Sequence, residues 1–394
     1  MNTDILNIEI QDYIDANFKS DISNLLLKGM PFDFIDSKII IEQIEAKKRC
    51  EKKLPTWFNT SNIYYPNKLN IEQTSSEITA KYKANLVSGK SLIDLTGGFG
   101  VDAFFFSKRI ENITHCEINS DLSEIVKHNY DALNVFNITC LNESGIDVLK
   151  QLDQPFDWLY IDPSRRDDSK NKVFLLSDCT PNIKTFQYLF LKYAKHVMLK
   201  TSPLLDLSAT LLDLKNVKEI HVIAVNNDVK ELLWILERNC DSEVTIKTVN
   251  LQKEKIQNFE FEFEDESLAQ VEYSEPLTYL YEPNSAVLKA GAFNSVSQQL
   301  EIEKLHKHSH LYTSKALINF PGRCFKIEKQ IPFNKKIFAK EKIIKANITT
   351  RNFPLSVSDI RKKLKIKDGG NVYLFFTTNL KEEKIILVCS KVSL

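Results

Sequence analysis

Apolar and polar positions follow two different periods along this chain, and the change of period divides it. Up to about residue 70, apolar residues recur every three or four positions, as in IEIQDYIDANF and DSKIIIEQIEAKKRCEKKL. That spacing predicts amphipathic helices, with Asp36 or Ser37 as an N-cap. LPTWFNTSNIYYP, with two prolines and several turn formers, ends the pattern. From Ile71 to about Leu251 the chain changes to short β-rich runs: SLIDLTG, NITHCEIN, NITCLN, DWLYIDP, KHVMLKTSP, EIHVIAVNN and SEVTIKTVN. Amphipathic stretches such as DLSEIVKHNYDAL and PNIKTFQYLFLKYA lie between several of them. The alternation predicts a parallel sheet covered on both faces, a doubly wound Rossmann-like α/β domain. Beyond the acidic FEFEFEDES segment, a smaller α+β region opens near Pro276. Its last part reads as a serine-capped helix in SVSDIRKKLKI, then DGG, then two strands, NVYLFFTTN and KIILVCSKV. The expected organisation is a helical region over 1–70, an α/β core over 71–250, and small α+β modules over 276–320 and 321–394.

In doubly wound sheets ligands sit beyond the carboxyl ends of the strands. The unusual residues of the core fall at those ends: Asp94, Glu117, Asn142, Asp162 and Lys200. LIDLTGGFGVDA is a strand, a glycine turn and a helix start, with Thr96, Gly97, Gly98 and Gly100 in the turn. Glycines there let a ligand approach the backbone, and the helix N-terminus offers free N–H groups. Two cofactors fit this pattern. Gly98-x-Gly100-x-x-Ala103 with Glu117 matches a dinucleotide fingerprint, and S-adenosylmethionine (SAM) uses a similar turn and a ribose-binding acid. Asp94 favours SAM, because a carboxylate at the first strand end opposes a pyrophosphate and suits a cationic cofactor. Asn142, Glu143 and Ser144 close the third strand, and one of them is expected to face the adenine. EQTSSEITAKYKA, before the first strand, places Gln73, Ser76 and Thr79 as cofactor-lid candidates or as parts of a capped helix.

Charge and composition narrow the function. Lys+Arg and Asp+Glu are equal at 52 each, yet from Glu301 onward there are 20 basic and 8 acidic residues, a net of +12. A basic end on a neutral chain fits a polyanion partner or a solvated lysine surface. Seven cysteines without a CxxC pair, and HKHSH around His306, His308 and His310, give no zinc spacing; no metal is expected. An acidic N-terminus and the lack of an apolar run of roughly 18 residues predict a cytoplasmic protein without a membrane partner.

FDWLYIDPSRRDDSK holds the candidate chemistry. An apolar run ends at Asp162-Pro163, where a carboxylate can hold an acceptor and take its proton while the proline shapes the loop. Ser164, Arg165 and Arg166 follow, and the two arginines suit an oxyanion or an ion pair with Asp167, Asp168 or Asp178. Lys200 and Pro203 in LKTSPLLD take a substrate-side place after the fifth strand, and Trp234 reads as core.

With DLTGGFGVDA and IDPSRR, residues 71–250 resemble class I SAM-dependent methyltransferases. IDPSRR stands where amino-methylating RNA and DNA enzymes of that superfamily carry Asp/Asn-Pro-Pro-aromatic. Here Ser164 and Arg165 replace the second proline and the base-stacking aromatic. YLYEPNSAVLKAGAF, FPGRCFKI and RNFPLSVSDIRKKLKIKDGGNVYLFFTT resemble the ferredoxin-like module (276–320) and THUMP-like domain (321–394) of a narrower bacterial group, relatives of the trimethylguanosine-synthase type. The resemblance implies SAM as cofactor and RNA (tRNA or rRNA) as partner. Phosphate contacts are then expected from Arg323, Lys326, Arg351, Arg361, Lys362 and Lys363. The competing expectations are methylation of an anionic small molecule or protein side chain, and a non-catalytic RNA-binding protein on a SAM-type fold.

Overall fold

The computed structural model describes residues 1–165, 176–253 and 255–393. They form two compact units: Met1–Lys218 with Leu233–Asp241, and Glu219–Leu232 with Ser242–Leu394.

In the first unit, helices α1 (Ile8–Asn17), α2 (Ile22–Lys28), α3 (Ser37–Lys53), α4 (Pro55–Asn59), α5 (Lys68–Gln73) and α6 (Glu77–Ala84) precede the sheet. Asp36 rather than Ser37 caps α3: its carboxylate accepts the Lys38 N–H at 2.9 Å. Strands β1 (Gly89–Asp94), β2 (Ile110–Cys116), β3 (Ile138–Leu141) and β4 (Phe156–Ile161) follow, separated by α7 (Val101–Phe106), α8 (Ser120–Ala132) and α9 (Gly145–Leu152). A two-residue ladder, β5 (Ser164–Arg165) against β6 (Cys179–Thr180), comes before α10 (Ile183–Tyr193), β7 (Ala194–Thr201) and α11 (Leu207–Asp213). The spatial order is β3-β2-β1-β4-β7, and every neighbouring pair is parallel. β4 lies centrally, and Trp158, Leu159, Tyr160 and Ile161 are all buried, which explains its continuous apolar run. Chain order runs outward from β1 to β3 and restarts at β4. The crevice of such a sheet therefore lies beyond the carboxyl ends of β1 and β4.

β8 (Val217–Val225) and β9 (Asp228–Glu237) are joined by Asn226 and Asn227, both with positive φ (50° and 65°). Two such residues make the turn that matches the twist of a hairpin. In NNDVKELLWIL the Asn-Asn pair, between two apolar runs, is the sequence signal of this hairpin. Trp234 is core, as read, and donates from Nε1 to Thr201 Oγ1 at 2.9 Å. In the second unit β8 also pairs in parallel with β10 (Thr245–Leu251), which pairs antiparallel with β11 (Ile256–Glu262). β11 ends in the first four residues of the acidic FEFEFEDES segment: Gln257, Phe259 and Phe261 turn inward and Glu260 is exposed. Its charges obscured a period of two.

Further on come α12 (Asp265–Leu268), β12 (Tyr279–Pro283), α13 (Ser285–Ala290), α14 (Ser295–Gln299), β13 (Glu303–Lys304), β14 (Tyr312–Ser314) and β15 (Gly322–Pro332). They are followed by α15 (Lys335–Ala339), β16 (Lys345–Thr350), α16 (Val357–Leu364), β17 (Lys367–Thr378) and β18 (Lys384–Val392). The sheet order is β13-β14-β12-β15-β18-β17-β16, antiparallel except for β16 with β17. Alternate residues of β17 and β18 feed two cores. Phe375, Ile385 and Leu387 join Leu280, Leu305 and Leu311 on one face. Phe376 and Ile386 join Phe338 and Ile360 of the helices on the other. Ser356 caps α16 through the Asp359 N–H. No helix among the described residues is long and apolar enough to cross a membrane.

Candidate active site

The glycine turn at the end of β1 is built on side chains beneath it. Thr96 N–H donates to Asp94 Oδ1 at 3.0 Å, and Gly97 N–H reaches the Cys116 carbonyl of β2 at 2.8 Å. Under Gly97 lies the fully buried His115 ring; a Cβ on Gly97 would stand 2.2 Å from it. Under Gly100 lies Tyr130, whose hydroxyl donates to the Gly100 carbonyl at 2.9 Å. Gly98 differs: the nearest atom to a Cβ there is the Thr96 carbonyl at 3.8 Å, so this face of the turn is open. Gly98 (φ 55°) and Gly100 (φ 73°) take the left-handed conformation that favours glycine.

Asp94 is fully buried, with Oδ2 3.6 Å from His115 Nδ1. Burial pushes its carboxyl up, against the opposing pull of the His115 ring. Its visible task is to fold the turn. Glu117, at the end of β2, accepts Gly98 N–H at 2.8 Å on Oε2 and Asn119 N–H at 2.7 Å on Oε1. A carboxylate has about four acceptor positions, so one edge remains for a diol. Asn142 donates to the Glu117 and Ile118 carbonyls at 2.9 and 3.1 Å and holds the β2–α8 turn. Ser144 precedes α9 without a side-chain cap bond, so its hydroxyl stays uncommitted to the helix. Thr79 is buried in α6 and returns its hydroxyl to the Ser76 carbonyl at 3.1 Å, so it faces no open space at the turn.

At the end of β4, Asp162 is positioned twice. Its N–H donates to Thr96 Oγ1 at 2.7 Å, and Lys200 Nζ of β7 lies 2.5 Å from Oδ2. β4 and β7 are adjacent parallel strands, with Ile161 opposite Leu199, so both strand ends deliver their charges to one place. Pro163 and Pro203 are half-buried nearby in sequence, and Ser164 is exposed. The Arg165 side chain, Arg166, Asp167 and Asp168 lie outside the described residues.

Three further groups carry weight that the sequence reading did not assign. Gly145 opens α9 with its Cα against the Leu95 backbone; a Cβ would stand 2.4 Å from the Leu95 carbonyl. Its only signal was a glycine at a helix start. Lys83 of α6 is fully buried, with Nζ 2.8 Å from Asp102 Oδ1. Asp102, two residues after Gly100, also accepts the Ser75 and Tyr160 hydroxyls, each at 2.7 Å. Burial opposes the Asp102 charge, but Lys83 and Lys200 outweigh it and hold the carboxyl below the usual range. A depressed carboxyl contributes stability above its unfolded value, near 3.8, and loses it as the pH falls through the folded value. The melting midpoint of wild type should therefore fall more steeply than that of Lys83→Met/Asp102→Leu as the pH drops below about 3.8, measured by circular dichroism.

This geometry meets the comparisons. A ferredoxin-like domain model matches residues 279–321, and a THUMP domain-like model matches residues 322–391. A crystal structure from Porphyromonas gingivalis W83, of a protein assigned as a methyltransferase, is 31% identical, covers 100% of both chains and superposes with a TM-score of 0.90. The chain belongs to that methyltransferase family. The family is of class I, with SAM as cofactor, a Rossmann-like core and a ferredoxin-like plus THUMP-like end. SMU.1697c from Streptococcus mutans, solved with S-adenosylhomocysteine (SAH), matches 41% of this chain at 12% identity, covers 96% of its own, and has a TM-score of 0.31. An rRNA methylase from Streptococcus thermophilus matches 41% at 11% identity, covers 94% of its own, and also has a TM-score of 0.31. No curated protein matches the chain.

The C-terminal domain of this methyltransferase sorts the basic residues. Arg323 and Arg351 both grip the buried Glu282: Arg323 Nε donates to Oε2 at 2.8 Å and Arg351 Nη2 to Oε1 at 3.0 Å. Arg361 donates to the Ala346 carbonyl at 3.3 Å and to Asp368 Oδ1 at 2.5 Å. These guanidinium groups brace the domain. Lys326, Lys362 and Lys363 are exposed, and none has a carboxylate within 4.0 Å among the described residues.

Proposed function

We propose that the chain methylates RNA with SAM, binding the cofactor at the glycine turn and the RNA backbone through exposed lysines of the THUMP-like domain. The turn itself is what supports the cofactor site: packed from below on His115 and Tyr130, open at Gly98, with Glu117 anchored beside it. The donor set fits the cofactor. Glu117 presents a free carboxylate edge to ribose hydroxyls, and the turn, between Asp94 and Glu117, suits a cation better than a phosphate. SAM supplies an electrophilic methyl group on a sulfonium. The protein's part is placement. Asp162 accepts a hydrogen bond from the acceptor and can take its proton, while Lys200 fixes the carboxylate. Ser164, exposed beyond Pro163, stands on the substrate side.

Support for RNA comes from the THUMP-like domain. It has 17 Lys and Arg against 6 Asp and Glu over residues 322–391, with Lys326, Lys362 and Lys363 free of carboxylates among the described residues. Incubation of total RNA and of a protein extract with methyl-labelled SAM tests the reading. Label is expected in RNA; label only in protein or in small molecules overturns it. Affinity for RNA should also fall steeply with salt. Lys326→Glu/Lys362→Glu/Lys363→Glu is expected to reduce the log–log salt slope by about 3, roughly one per lost phosphate contact, in fluorescence anisotropy titrations. A slope that stays at the wild-type value would remove these lysines from the interface.

A further inference from the structure

Lys83, Asp102, Ser75 and Tyr160 form a polar cluster with almost no contact with water: none exceeds 8% exposure, and Lys83 is at 0%. Its members come from three places that matter. Ser75 and Lys83 flank the segment that leads into β1, Asp102 follows the glycine turn by two residues, and Tyr160 precedes Asp162 by two residues on β4. Lys83 Nζ reaches Asp102 Oδ1 at 2.8 Å and Ser75 Oγ at 2.7 Å, with Tyr160 OH at 3.4 Å. Asp102 Oδ2 accepts from Ser75 and Tyr160. The charge pattern continues outward, because Lys200 acts on Asp102 and pairs with Asp162.

A buried ion pair is a poor source of stability, since its desolvation cost is comparable to its attraction and apolar replacements of similar volume are often as stable. What such a pair supplies is one permitted geometry. Here that geometry registers α6 against the helix of the glycine turn and against the strand that carries the catalytic carboxylate.

We propose that Lys83 and Asp102 are positioning residues for cofactor capture: their closed pair, completed by Ser75 and Tyr160, holds Ser75–Ala84 against the glycine turn and β4 in the arrangement that binds SAM. The proposal rests on the reading that the glycine turn is the SAM site. Neither residue touches the cofactor; both act through the turn.

The test is calorimetry of SAM against full-length wild type, Lys83→Met/Asp102→Leu and Tyr160→Phe, with melting midpoints measured in parallel. The paired apolar variant is expected to melt within a few degrees of wild type, because both buried charges of the pair are removed together. It should bind SAM roughly tenfold more weakly, in the range that misplacement of a positioned group costs. Tyr160→Phe removes the hydroxyl that Asp102 and Lys83 share and no charge; about a threefold loss with little change in melting is expected. Hydrogen exchange of amides 75–84 should quicken in both variants, also without SAM. Wild-type SAM affinity in the folded double variant overturns the proposal alone. If that variant does not fold, wild-type affinity in Tyr160→Phe overturns it. A folded wild type that binds no SAM overturns the cofactor reading and this proposal with it.

Discussion

Asp162→Ala is expected to lower methyl transfer by roughly 10²–10⁴-fold, the usual contribution of a positioned acid–base group. SAM affinity should stay within about threefold, because Asp162 is assigned to the acceptor and not to the cofactor. The carboxylate has little freedom: its own N–H is tied to Thr96 Oγ1 and its Oδ2 to Lys200 Nζ. Asp162→Asn separates two demands. The amide keeps an acceptor oxygen but drops the charge that partners Lys200. Turnover near that of Ala would show that charge is needed, and turnover near wild type that a hydrogen-bond acceptor suffices. Single-turnover rates with labelled SAM and substrate RNA measure both. An Asp162→Ala enzyme as fast as wild type would remove this residue from the reaction.

Gly97→Ala is the second large effect. The new methyl group would stand 2.2 Å from the His115 ring, which is fully buried and packed edge-on to Tyr130 at 5.8 Å between centroids. Overpacking of this kind costs about 1–3 kcal/mol, and here the strain falls on the turn itself. Loss of SAM binding by calorimetry and a lower melting midpoint are expected together. His115→Ala in the same chain should recover part of the midpoint, since it empties the space the methyl group needs; coupling of the two changes is the expected signature of direct contact. A Gly97→Ala protein that melts and binds as wild type would show that the ring is not the floor of the turn.

Much of the core was legible because parallel strands buried on both faces are written as short apolar runs, as in Trp158–Ile161 of β4 and Ile220–Ala224 of β8. β11 was not legible, because Glu260 and Glu262 made the stretch read as an acidic segment while Phe259 and Phe261 faced inward. Asp162 could be found from the chain: an apolar strand that stops on a carboxylate is unusual. Its pairing with Lys200, 38 residues on, required knowing that β4 and β7 are neighbours. Arg323 and Arg351 looked like free cations, since Glu282 lies 41 and 69 residues away from them in sequence. Lys83, Asp102, His115 and Tyr130 were invisible for the same reason. Nothing local distinguishes a polar residue on an exposed helix face from one closed into a tertiary network.

The C-terminal sheet has one core against each of its faces, one with Leu280, Leu305 and Leu311 and one with Phe338 and Ile360. Phe375 and Phe376 of β17 are therefore spent on packing, one in each core, and Tyr373 of the same strand packs beside Phe325. An RNA held by this domain on the proposed reading cannot stack its bases on Phe375 or Phe376, and stacking is the usual means of reading single strands. On that reading the domain would hold the backbone and leave the bases largely unread. Homopolymers of uridine and of adenosine should then compete for it about equally, and the choice of target nucleotide would belong to the few side chains around the Asp162 loop.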